Sequence, residues 1–245
     1  MKYMGSKSRI AKDIIPIIQK EIDKTGANYY EPFCGGCNII DKINAKIRCA
    51  SDNNKYLIAM WKHLTENQND EYPKEISYEH YSDVRANKEN YPDWYAGYVG
   101  FLASYNGRFF DGSYAKTIIS KTGVTRNYYR EAKDNIFKQL PDVVGVKFAC
   151  LDYSDANPHN MVVYCDIPYF GTKQYSTSKD FDHEKFWNTM REWSKNNIVF
   201  VSEEHAPNDF ECVWQQEIIR TQDNTKRTKA VEKLFRYGGA YENYK

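Results

Sequence analysis

The sequence predicts an α/β fold, a mostly parallel sheet with an antiparallel edge, interrupted by a smaller and mainly helical lobe. Three observations carry that expectation. Strand-length apolar runs alternate with helix-period segments over residues 10–64, and the strand runs return after Pro141. Between them, residues 67–140 are rich in Tyr, Asn, Gly and charged side chains. Near the end, CVW, EII and KLFRY read as antiparallel strands at a sheet edge. The expected division is a core of residues 1–62 and 142–245, with an inserted lobe at 63–141. A chain of 245 residues is long enough for one α/β domain carrying such a lobe.

In chain order, Ile10, Ile14, Ile17, Ile18 and Ile22 recur close to a 3.6-residue period. Pro16 interrupts them, so two short helices are expected. Asn28 to Phe33 reads as a buried strand, closed by the turn CGGC and followed by a helix from about Asn38. Arg48 to Ser51 is a second strand ending at Asp52, with a helix through Tyr56, Trp61 and Leu64. Helical fragments are expected near 78–89 and 94–104, whereas SYNGRFFDGSYAK (104–116) holds too many glycines and turn residues to be one regular element. Strands follow at 146–151, 161–166 and 198–202, with a helix at 183–195.

Composition narrows the class of protein. The chain has 34 basic and 33 acidic side chains, but residues 101–138 carry seven basic groups against three acidic ones. A molecule near neutrality can therefore still present local positive charge to phosphate. No window approaches 18 consecutive apolar residues, and the N-terminal stretch lacks the apolar run of a signal peptide, so a cytoplasmic protein with no membrane partner is expected. Cys34 and Cys37 form a C-x-x-C, yet no second ligand pair stands at metal spacing, so no metal is expected.

Two clusters carry chemistry. Gly35 and Gly36 follow the first strand, where a glycine turn lets backbone approach a ligand closely. Asp52 ends the next strand, where a carboxylate can accept hydrogen bonds from ribose hydroxyls. Asp166-Ile167-Pro168-Tyr169 follows the apolar run MVVY, and ligands of open parallel sheets bind outside the carboxyl ends of strands. An ordinary tight turn and a strand-ending Asp remain the structural alternatives for these clusters taken singly.

The ordered set KYMGSK (2–7), EPFCGG (31–36), Asp52, SYNGRFFDGSYAK (104–116), LDYSD (151–155) and DIPYF (166–170) resembles the Dam family. These are D12-class, S-adenosylmethionine-dependent DNA adenine-N6 methyltransferases, and the resemblance spans nearly the whole chain. It implies a Rossmann-like methyltransferase sheet interrupted by a DNA-recognition lobe, double-stranded DNA as partner and S-adenosylmethionine as cofactor. By similarity, the Asp166 carboxylate and the Ile167 carbonyl accept the N6 hydrogens of an extruded adenine, while Tyr169 stacks on the base after Pro168. The resemblance assigns Tyr3, Lys7, Phe33, Gly35, Gly36, Asp52, Asp152, Tyr153 and Asp166 to the cofactor. Tyr105, Asn106 and Arg108 are the candidate base readers, and Lys116, Lys121, Arg126 and Arg130 the candidate phosphate contacts. The sequence departs from the family pattern at Ile167, where Pro is usual, and at Cys37, where a second Gly is usual.

The implied localisation is the cytoplasm of a bacterial or phage-infected cell. Restriction–modification, orphan regulation and phage self-protection are all compatible with these residues, and oligomeric state is left open. Competing readings are a cytosine-N4 or protein-amide methyltransferase, which use related motifs, and an inactive DNA-binding relative. A nicotinamide-dependent oxidoreductase fails because G-x-G-x-x-G is missing.

Overall fold

The computed structural model describes residues 1–120, 122–168, 181–223 and 226–238. In chain order its elements are α1 (Ala11–Thr25), β1 (Asn28–Glu31), β2 (Arg48–Asp52), α2 (Lys55–Glu66), α3 (Tyr78–Ala86) and α4 (Asp93–Leu102). There follow β3 (Thr117–Ile119), β4 (Thr125–Asn127), α5 (Tyr128–Val143), β5 (Lys147–Cys150) and β6 (Met161–Asp166). The chain closes with α6 (His183–Ser194), β7 (Ile198–Glu203), β8 (Phe210–Asp223) and β9 (Lys226–Tyr237). Seven of the strands form a mostly parallel sheet with an antiparallel edge, the Rossmann-like α/β arrangement expected. The chain divides into two compact units, one of residues 1–9, 34–42 and 49–151 and one of 10–33, 43–48 and 152–245.

In the second of these units β1, β6 and β7 run parallel, with Tyr30 opposite Val163 and Val163 opposite Val199. β9 joins β7 antiparallel and β8 joins β9, so CVW and EII are parts of one long strand. Helix α1 is continuous, where two helices were expected. Ile14, Ile18 and Ile22 are buried on one stripe that runs straight past Pro16. Each buried Ile stabilises by about 1.5–3 kcal/mol, which offsets the roughly 3 kcal/mol cost of an interior proline. Pro16 and Lys12 also lie on the exposed side, so the carbonyl that loses its amide partner faces water. Helix α6 is capped by Asp182, which accepts from the Lys185 N–H at 2.9 Å, and buries Phe186, Trp187, Met190 and Trp193.

In the other unit β2 pairs in parallel with β5, setting Asp52 opposite Cys150. Asn54 caps α2 by accepting from the Tyr56 and Leu57 N–H groups. Helix α4 is buried from Ala96 to Leu102 and crosses α2 so closely that a Cβ on Gly97 would lie 2.1 Å from the Tyr56 carbonyl oxygen. The 63–141 stretch holds α3, α4, most of α5 and the β3–β4 hairpin. The helix expected from Asn38 is absent, and only a 3-10 turn, Ile40–Lys42, forms there. Ile39, Ile40 and Ile43 are buried within five residues, an apolar stripe too short to sustain a helix. Among the described residues, no helix is long and apolar enough to cross a membrane.

Candidate active site

Asp166 ends β6 after four buried residues, with its own side chain half-buried. Ile167 follows, buried, and Pro168 restricts it to extended backbone. Because β1 and β6 are parallel neighbours, their carboxyl ends leave the sheet on one edge, which carries both Phe33 and Asp166. Asp166 also stands opposite Ser202 of β7. Phe33 belongs to an aromatic cluster with Tyr153, at 5.3 Å between ring centroids, and with Phe181 and Phe186, each at 6.0 Å. Burial raises the Tyr153 phenol to about 12, and the neighbouring Asp152 charge adds to the rise. Asp152 caps the short 3-10 turn Tyr153–Asp155 by accepting from the Ser154 N–H at 2.9 Å. Tyr169 lies outside the described residues. Phe181 escaped the sequence reading because it stands alone in the polar stretch SKDFDHE, without apolar periodicity.

The other unit holds a second constellation around the CGGC turn. The Gly35 N–H donates to Asp52 Oδ2 at 3.2 Å, and Asp52 Oδ1 accepts from the Asn54 N–H at 3.0 Å. Burial lifts the Asp52 carboxyl to about 6, against the opposing pull of those two N–H groups. Gly35 takes φ +44°, and a Cβ there would sit 2.7 Å from Tyr3 Cε1. On Gly36 it would sit 2.7 Å from Tyr3 Cβ, so the Tyr3 ring lies directly on the turn. Cys37, at the position of the family's second Gly, keeps a left-handed φ of 55°. Lys7 is buried, its Nζ donating to the Gly5 carbonyl at 3.4 Å. Tyr3, Gly35, Gly36 and Asp52 are thus brought together. The Trp61 indole N–H donates to the Gly35 carbonyl at 3.0 Å, and Gln139 binds the next two carbonyls, contacts that sequence reasoning missed. A polar residue on the apolar stripe of α5 was the available signal for Gln139.

The candidate DNA readers lie in this same unit. Tyr105-Asn106-Gly107 is a 3-10 turn in which Asn106 takes the left-handed φ of 58°. Tyr105, Asn106 and Arg108 are exposed, while Gly107 is pressed against the chain, its would-be Cβ 2.3 Å from the Lys2 carbonyl oxygen. The loop is pinned by the Tyr105 N–H on the Ser113 carbonyl and by Ser104 Oγ, which accepts from the Phe110 N–H. Lys116, Arg126 and Arg130 are exposed as well, and Lys121 lies outside the described residues. Arg126 makes a two-pronged ion pair with Glu131 at 2.8 and 2.7 Å and stands 5.0 Å from the Tyr128 ring centre. That pair, with Lys2 at 3.2 Å, holds the Glu131 carboxyl down at about 2. Tyr128, whose ring also meets Tyr105 at 5.4 Å, was not anticipated from sequence.

The sequence profile of the D12 class N6 adenine-specific DNA methyltransferases matches residues 3–232. The chain belongs to that family. It is therefore a methyltransferase that uses S-adenosylmethionine. Among curated proteins no relative matches. Solved structures with similar chains include a candidate RNA methyltransferase from Pyrococcus horikoshii, 10% identical over 96% of this chain and 85% of that one, with a TM-score of 0.45. SMU.472, a candidate methyltransferase solved with S-adenosylhomocysteine, is 10% identical over 93% of this chain and 53% of its own, with a TM-score of 0.32. A candidate methyltransferase from Thermoplasma acidophilum is 12% identical over 46% of this chain and 53% of its own, with a TM-score of 0.24. At these scores the likenesses add nothing to the family assignment.

The residues of this D12 methyltransferase suit such a cofactor. Each Asp52 oxygen accepts one backbone N–H, which leaves each with a lone pair for a hydroxyl donor. In the other unit the Phe33 and Tyr153 rings, tilted 36° to one another, offer apolar aromatic surface.

Proposed function

We propose that the protein transfers a methyl group from S-adenosylmethionine to N6 of an adenine extruded from duplex DNA. The observation that carries the reading is the placement of Asp166 and the Ile167 main chain at the carboxyl edge of β6, beside the end of β1 that leads to Phe33. An exocyclic amine of adenine is a weak nucleophile, because its lone pair is delocalised into the ring. Two acceptors for its hydrogens draw that lone pair out of the ring, and the Asp166 carboxylate and Ile167 carbonyl are those acceptors. Ile in place of Pro at 167 costs nothing essential, since the acting group is a carbonyl and Pro168 holds its backbone extended. Bound S-adenosylmethionine supplies an electrophilic methyl on a sulfonium, which is already a good leaving group. What remains for this chain is alignment.

Asp52 receives the ribose hydroxyls, Gly35 and Gly36 with Tyr3 and Lys7 face the methionine portion, and Asp152, Tyr153 and Phe33 flank the purine. Tyr169 stacks on the extruded base, an interaction of about 1–3 kcal/mol. Extrusion is required because N6 is out of reach of a pocket while the base is stacked in the duplex. Residues 63–141 form the reading lobe, with Tyr105 filling the vacated stack, Asn106 and Arg108 on base edges, and Lys116, Lys121, Arg126 and Arg130 on phosphates. The proposed compartment is the cytoplasm of a cell whose DNA it modifies.

The test is to incubate the protein with S-adenosylmethionine labelled in its methyl group and unmethylated duplex DNA, then hydrolyse the DNA to nucleosides. Label in N6-methyldeoxyadenosine supports the reading. Label in N4-methyldeoxycytidine replaces it with the cytosine alternative, and binding without transfer replaces it with the inactive one.

A further inference from the structure

We infer that Gln139 is a positioning residue for cofactor binding, acting through the main-chain carbonyls of the CGGC turn. The inference rests on the reading of Gly35 and Gly36 as the cofactor turn. Gln139 is buried on α5, on the face otherwise filled by Tyr129, Ala132, Ile136 and Leu140. A primary amide on such a face is costly unless its hydrogens are used. Its two Nε2 hydrogens are shared among the Gly36 carbonyl at 3.0 Å, the Cys37 carbonyl at 2.9 Å and Asp41 Oδ2 at 2.9 Å, and its Oε1 accepts from the Met1 ammonium. Trp61 holds the Gly35 carbonyl, so side chains of α2 and α5 grip three successive carbonyls.

The peptide unit is planar and trans, so a fixed carbonyl fixes the following N–H in the opposite direction. Gripping Gly36 and Cys37 by their oxygens therefore sets the planes of the Gly36–Cys37 and Cys37–Asn38 peptides, while Trp61 sets that of Gly35–Gly36. The Cys37 N–H is accordingly directed to the Cys34 carbonyl at 2.7 Å, and the turn closes with Gly35 donating to Asp52. Gly35 and Gly36 have no Cβ to restrict them, and Cys37 is held in a left-handed conformation, so the turn depends on outside contacts for its shape.

The experiment measures S-adenosylmethionine and S-adenosylhomocysteine binding by calorimetry, without DNA, for the wild type and for Gln139→Met and Gln139→Glu. Methionine matches the length and offers no donor. About tenfold weaker binding is expected, with the KM for S-adenosylmethionine rising in step and kcat at saturation within about twofold. Glutamate also removes the donor and sets a carboxylate beside the same carbonyls and Asp41, with the Met1 ammonium as its counter-charge, and should weaken binding as well. A lowered melting temperature with unchanged affinity of the folded protein would mean a structural role only, and overturns the inference. If Gln139→Met does not fold, Gln139→Asn serves, keeping the amide but retracting it by one methylene, and unchanged affinity there overturns the inference equally. A wild type that binds neither compound refutes the underlying reading instead.

Discussion

Asp52 illustrates how burial and a ligand pull one carboxylate in opposite directions. Its carboxyl titrates near 6 in the ligand-free protein because desolvation outweighs two N–H bonds. A folded-state value above the unfolded one means that the native protein holds this proton over the range from about 4 to 6, so its contribution to stability declines as pH rises through that range. In the proposed function cofactor hydroxyls donate to the ionised form, so binding has the opposite slope. Affinity for S-adenosylmethionine should fall as pH drops below about 6 and level off above 7. Asp52→Asn should flatten that profile and weaken binding about tenfold at pH 7.5, which calorimetry across pH checks. At Gly107 the limit is steric. With φ +67° and the Lys2 carbonyl 2.3 Å from the position of a Cβ, Gly107→Ala should cost at least about 1–3 kcal/mol in urea unfolding.

At the scale of elements, the proposed function divides base reading, on the exposed loop at 105–108, from phosphate holding, around the hairpin. Arg108 is exposed on the loop beside the left-handed Asn106, whereas Lys116 and Arg130 flank the hairpin. Arg108→Ala should therefore reduce discrimination between sequences by about 1–3 kcal/mol, measured by competition between duplexes. Lys116→Ala or Arg130→Ala should weaken all duplexes alike and lower the slope of log K against log salt by about 1. A uniform loss at Arg108 would make it a phosphate contact instead. Arg126 differs from these two because its guanidinium already serves Glu131, so part of any phosphate contact is offset by breaking that pair.

For the whole molecule, the mostly parallel sheet with its antiparallel edge and the positions of its strands were legible because parallel strands bury both faces and read as apolar runs such as MVVYC and IVFV. The continuity of α1 was not, since a local proline rule cannot weigh the stripe of buried Ile on either side of it. Nor was the grip of Trp61 and Gln139 on the CGGC turn, whose contacts join residues 26 and more than 100 positions apart. The turn's glycines were visible in sequence, whereas the groups that orient them belong to tertiary packing. The central claim is that Asp166 grips the amino group that receives the methyl. It is tested most directly by comparing the wild type with Asp166→Ala for methyl transfer to duplex DNA and for cofactor affinity on the same preparations. Turnover should fall at least about a hundredfold while S-adenosylmethionine still binds. Turnover equal to that of the wild type would contradict it.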